Sequence, residues 1–121
     1  MTSLRKTSFA DRATSPSASV LGRYLLRIIS IKRSNLCVSA DVHTTSELLS
    51  IAEQVGDSIC ALKTHADIID DFSERTIRGL QDVSRRKHFL IFEDRKFGDI
   101  GSRQYAINHV PYLLLTISRV P

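Results

Sequence analysis

Cysteine, methionine and tryptophan are scarce in this chain of 121 residues, which has two, one and none of them. A single cysteine pair, Cys37 and Cys60, cannot build a disulfide framework and offers no metal-ligand spacing. Each lies in a short apolar segment, which predicts two buried, reduced thiols. Long hydrophobic runs are missing as well. The longest late run, Tyr112 to Ile117, falls far below the ~20 residues that span a bilayer. No apolar stretch of a secretory signal opens the chain, so no membrane partner is expected. Basic residues have almost no aromatic neighbours apart from Phe9 and Tyr24, and the stacking pattern of a single-strand nucleic-acid binder is absent. No internal repeat stands out.

Charge is uneven. Residues 1–33 carry seven Lys/Arg against one acid, Asp11, a balance of +6 within a net +4. Such an arm can attract nucleic acid or anionic lipid. A solvated leader and helix face is the simpler reading, and no nucleic-acid partner is expected. The first fifteen residues are rich in Ser, Thr and Arg, as in organelle-targeting peptides, but Asp11 argues against that reading.

Residues 1–16 read as an irregular basic arm ending at Ser15-Pro16. From Ser17 to about Ile31, Val20, Leu21, Tyr24, Leu25, Ile28 and Ile29 recur with helical spacing. A theme then repeats. Leu36–Ala40 is a short apolar strand running into Asp41. Thr44 and Glu47 have capping-box spacing and open an amphipathic helix to about Val55. Ser58–Leu62 reads as a second strand, running into Lys63-Thr64-His65. A helix over Glu74–Arg86 shows Ile77, Leu80 and Val83 on one side. Phe89–Phe92 is a third strand. Strands alternating with helices predict a parallel α/β protein.

Each strand ends in polar groups, and active sites of parallel α/β folds lie at the carboxyl ends of strands. The third strand runs into Glu93-Asp94-Arg95-Lys96-Phe97-Gly98-Asp99. In an extended chain Asp94 and Lys96 share one face, and Glu93 and Arg95 the other. A carboxylate and an ammonium side by side at a strand end suit electrostatic and proton-transfer chemistry. Glu93 is expected to pack or pair on the outer face.

Four segments carry a resemblance to a known family. They are Asn35–Val42, Ile59–His65, Asp67–Phe72 and Phe89–Gly101, the last reading Phe-Leu-Ile-Phe-Glu-Asp-Arg-Lys-Phe-Gly-Asp-Ile-Gly. In order and spacing they resemble orotidine 5′-phosphate decarboxylase of the eukaryotic, especially fungal, type, over about residues 8–102. The resemblance implies a (β/α)8 TIM barrel, of which the first three βα units are present. It implies a cytoplasmic homodimer that converts orotidine 5′-phosphate to UMP without metal or organic cofactor. It places Lys63, Asp94, Lys96 and Asp99 in a charged catalytic array. Lys96 would protonate C6, Asp94 would sit against the substrate carboxylate, and Asp99 would reach into the neighbouring subunit's site. Asp41 would bind the ribose with Lys63 in support, and Ser39 and His65 would line the pocket.

After Ser102 the resemblance stops. Arg103 stands where the family has a Thr, and only Gln104-Tyr105 echoes the expected continuation. Residues 17–103 therefore read as the amino-terminal part of a ~250-residue barrel, and residues 104–121 as a divergent tail. An isolated chain of this kind is expected to be inactive. The alternative is a genuine short product without catalysis that pairs with an intact subunit. The short leader suggests a stand-alone decarboxylase rather than a fusion. A third reading is a metal-dependent sugar-phosphate decarboxylase of the same superfamily, which shares the shorter Asp-x-Lys-x-x-Asp pattern of Asp94, Lys96 and Asp99. The flanking Phe-Glu, Ile-Gly and Lys-Thr-His residues favour the orotidylate enzyme.

Overall fold

The computed structural model describes residues 7–94. Helix α1 covers Phe9–Ala13 and α2 covers Val20–Lys32. Strand β1 (Cys37–Ala40), helix α3 (Thr45–Val55), strand β2 (Ala61–Thr64), helix α4 (Glu74–Lys87) and strand β3 (Leu90–Glu93) follow. Three parallel strands form one sheet in the order β1-β2-β3. The alternation of strands and helices expected from the sequence is present.

Local chemistry explains the helix starts. Ser19 Oγ accepts from Gly22 N at 2.9 Å, and Thr44 Oγ1 accepts from Glu47 N at 3.2 Å. Each satisfies a donor that the first helical turn leaves without an intrahelical partner. For α3 the expected box forms only in this half. The Asp71 carboxylate adds a second cap, accepting from Thr45 N at 2.7 Å. Ser73 and Thr76 close a reciprocal box on α4.

Several boundaries differ from the sequence reading, two of them with a clear local cause. Residues 9–13, read as irregular, are helical, because Ser8 and Asp11 cap each other reciprocally at 3.0 and 3.3 Å. The second strand begins at Ala61 rather than Ser58, because Gly56–Ser58 continue the preceding helix as a 3-10 turn.

The two sheet faces differ. Val38, Ala40, Leu62, Thr64, Ile91 and Glu93 share the face covered by α3 and α4. There Leu48, Ala52, Leu80 and Val83 close a core with Ile59, Ile69 and Phe89. The two helices come close at Gly79, where a Cβ would stand 2.9 Å from Leu49 Cδ1. Cys37, Ser39, Ala61, Lys63, Leu90 and Phe92 alternate onto the opposite face. Helix α2 crosses only its amino end, packing Leu25, Ile28 and Ile29 on Cys60, Ala61 and Leu90. Cys60 is buried as expected. Cys37 is exposed, contrary to the sequence reading, because it faces the α2 side on β1, beside the patch of Cys60, Ala61 and Leu90 on which α2 packs.

A lysine locks the amino end of the sheet. Lys32 Nζ donates to the carbonyls of Gly56, Lys87 and His88 at 2.6, 2.8 and 2.9 Å. These carbonyls end α3 and α4, where the helix dipole favours a cation. Burial pushes the Lys32 ammonium below the ordinary lysine value, with Asp57 opposing. Replacing it by an isosteric apolar chain removes three bonds to a charged donor and regains its desolvation. Lys32→Met is therefore expected to cost about 2 kcal/mol, read as a lower urea midpoint with unchanged slope. A midpoint equal to wild type would show that the tripod contributes nothing.

Candidate active site

The parallel register sets the geometry of the strand ends. Ala40, Thr64 and Glu93 stand side by side across the sheet. The residues one step further, Asp41, His65 and Asp94, therefore leave the three strands in a single row. Strands lie about 4.8 Å apart, so neighbours in this row come within side-chain reach. His65 Nε2 is 3.3 Å from Asp41 Oδ1 and 4.0 Å from Asp94 Oδ2. Lys63, two residues earlier on the same face of β2, places Nζ 2.8 Å from Asp94 Oδ2. Ser39, its partner in register on β1, donates from Oγ to Asp41 Oδ1 at 3.4 Å.

Five of the seven residues expected at the site, Ser39, Asp41, Lys63, His65 and Asp94, thus meet at the carboxyl end of the sheet. Lys96 and Asp99 lie outside the described residues, as do Arg95 and the tail of residues 104–121. Lys63 is half-buried and Asp94 exposed, with side chains 33% and 47% exposed, so the pair is open to a ligand. The hydrogen bond that Lys63 donates to Asp94 raises its ammonium above the ordinary lysine value, partly opposed by desolvation and reinforced by the charges of Asp94 and Asp41. The result is a fixed ammonium between carboxylates, able to hold an anionic or hydroxyl-bearing ligand. Among the described residues no group of three or more His, Cys, Asp or Glu is arranged to hold a metal ion.

Glu93 is the residue whose importance the sequence understated. It lies on the outer face as expected, but it is 1% exposed. Its Oε2 accepts from Thr64 Oγ1 at 2.5 Å and its Oε1 from Ala66 N at 2.9 Å. Backbone Asp94 N donates to Thr64 O at 3.0 Å. A threonine at the matching register position of β2 was the available signal, since its hydroxyl can donate to a carboxylate turned inward.

A short parallel sheet with charged groups gathered at its carboxyl ends is the arrangement of the βα-barrel class, whose members carry their sites at that end. The chain belongs to the orotidine 5′-phosphate decarboxylase / HUMPS family, whose model matches residues 34–108. That match runs six residues past Ser102, where the motif resemblance stops. Similar curated proteins are orotidine 5′-phosphate decarboxylases of fungi. The protein of Aureobasidium pullulans is 65% identical over 95 residues, covering 78% of this chain and 35% of the relative. That of Maudiozyma exigua is 54% identical over 96 residues, with the same coverage of 78% and 35%. That of Cyberlindnera jadinii is 50% identical over 103 residues, covering 82% and 38%. The chain spans about a third of the length of these relatives.

Burial raises the Glu93 carboxyl above its ordinary value of 4.5, against the opposing bonds from Thr64 and Ala66. The native state then binds more protons than the unfolded chain between 4.5 and the elevated value. Stability from this group is complete below that interval and declines as pH rises through it. Wild type should therefore lose stability relative to Glu93→Gln as pH rises from 4.5, the glutamine having no such titration. Urea midpoints of both proteins across that range test the sign, and a difference that is flat or grows with pH contradicts it.

Proposed function

We propose that this segment supplies the amino-terminal part of the active site of an orotidine 5′-phosphate decarboxylase. The reaction converts orotidine 5′-phosphate to UMP and carbon dioxide, the last step of pyrimidine nucleotide synthesis. The observation that carries the reading is the Lys63–Asp94 pair at 2.8 Å, with Asp94 in one row with Asp41 and His65. The names of the fungal relatives support the substrate.

In this reading the bond from C6 to the carboxylate breaks and its electron pair stays on C6. Lys96 stabilises that charge and delivers a proton to C6, and Asp94 faces the departing carboxylate. A cation held beside the developing carbanion lowers the barrier because it needs no reorganisation as the charge forms. Carboxylates around a lysine keep it protonated and ready to donate. Asp41 binds the ribose, Lys63 supports it, and Ser39 and His65 line the pocket. Asp99 completes the charged array from the neighbouring subunit of a homodimer. The chemistry uses no metal or organic cofactor and belongs to the cytoplasm. Among the described residues no helix is long and apolar enough to cross a membrane.

The test is to graft residues 34–102 of this chain into the Aureobasidium pullulans relative in place of its matching segment. The folded hybrid is expected to decarboxylate orotidine 5′-phosphate in the presence of EDTA. Lys96→Ala in the hybrid should lower kcat/KM by at least about 100-fold. A folded hybrid without turnover, or one indifferent to Lys96→Ala, would sink the reading. Loss of turnover in EDTA would favour the metal-dependent branch that shares the Asp-x-Lys-x-x-Asp pattern.

A further inference from the structure

We infer that Glu93 is a positioning residue for the charged rim, acting through the turn that follows β2. Glu93 touches neither Lys63 nor Asp94 through its own carboxylate. It stands between them in the covalent and hydrogen-bonded framework. Asp94 follows it directly on β3. Its two oxygens bind Thr64 and Ala66, the residues on either side of His65. Lys63 immediately precedes Thr64. One buried carboxylate thus holds the backbone that presents Lys63 and His65 against the backbone that presents Asp94.

The ladder bond from Asp94 N to Thr64 O sets the register of the two strands. It does not set the direction in which the chain leaves β2. That direction is fixed at Ala66, the first residue of the 3-10 turn Ala66–Ile68, whose N–H points to Glu93 Oε1. An uncharged apolar residue would suit the surrounding core of Leu48, Ile69, Leu80 and Ile91 at least as well. A buried carboxylate is costly unless its bonds are good, and replacing one by an apolar group is often neutral for stability. A carboxylate at this place, bonded twice to the β2 turn, is therefore better explained by geometry than by stability. The groups facing it are Thr64 and the Ala66 N–H, with the charges of His65 and Asp67 acting from the same turn.

The catalytic meaning of this tether rests on the decarboxylase reading, but the tether can be tested in the chain itself. The readout is solvent exchange of the Lys63 ammonium protons, followed by nitrogen–proton NMR in the 121-residue protein. Dispersed core methyl signals serve as the control for folding. Exchange slows when the ammonium is held on Asp94, and a purely structural role for Glu93 would not move it. Glu93→Leu should speed exchange at least about fivefold and Thr64→Val at least about twofold, because each removes bonds of roughly that strength. Glu93→Gln should change it by less than about twofold, since its amide can accept from Ala66 N and donate to Thr64 Oγ1. The inference is overturned if Thr64→Val leaves exchange at the wild-type rate, and likewise if folded Glu93→Leu does so. It is also overturned if Glu93→Gln speeds exchange as much as Glu93→Leu. Should Glu93→Leu not fold, Thr64→Val decides alone. Failure of the hybrid barrel to turn over substrate would leave this result standing, so the two readings fail separately.

Discussion

The constraint on which the rest depends is the parallel, in-register pairing of three short strands. A parallel ladder offers no hairpin to join neighbours, so each strand must be followed by a crossover. The helices that make those crossovers bury one face and bring every strand back pointing the same way. Strands that start together and have equal length also end together. Asp41, His65 and Asp94 occupy one row for that reason alone. A slip of one residue in β3 would turn Glu93 to the open face and Phe92 into the helix-side core. The site and the core are therefore held by the same register, and neither can be lost without the other.

Within that row the balance of charge is close. Lys63 stands among Asp94, Asp41 and His65, and the aspartates hold its proton more firmly than water would. Exposed ion pairs of this kind contribute little to stability. Lys63 and Asp94 remain a third to a half exposed, which leaves the pair open to solvent screening. Their arrangement is explained by what they can hold or stabilise. Glu93 obeys the opposite logic. It is deep in the core, its bonds are short, and its cost is offset only because Thr64 and Ala66 both donate to it.

Much of this was legible in the sequence, and the failures have physical causes. The alternation of strand and helix, the cap at Thr44 and the polar strand ends follow from periodicity and short-range hydrogen bonding. The motif run from Phe89 to Gly101 was enough to point to the family. The start of β2 was misplaced because Ser58-Ile59-Cys60 has the composition of a strand, while Gly56 and Asp57 carry the helix on by one tight turn. Cys37 was misread because apolar composition says a segment is in the sheet but not which face an individual residue takes. The helix at residues 9–13 was missed because its Ser8–Asp11 cap lies within a Ser-rich stretch. Glu93 was placed on the right face, but its burial depends on Thr64, twenty-nine residues away, and single-strand patterns do not contain that pairing.

The two ends of the sheet divide the work. At the amino end Lys32 gathers the last carbonyls of α3 and α4, and the apolar stripe of α2 closes over Cys60, Ala61 and Leu90. The ammonium there is engaged by carbonyls. At the carboxyl end the charged side chains stay partly open, and their support comes from beneath. The separation follows from parallel strands, because the helix carboxyl ends and the strand carboxyl ends fall on opposite sides. A cation that stabilises helix ends is thereby kept away from the cation that serves the site. Changes at the amino end can then alter stability without altering the charges of the rim. Glu93 is the exception that joins the two roles, being a core residue by burial and a site residue by what it holds in place.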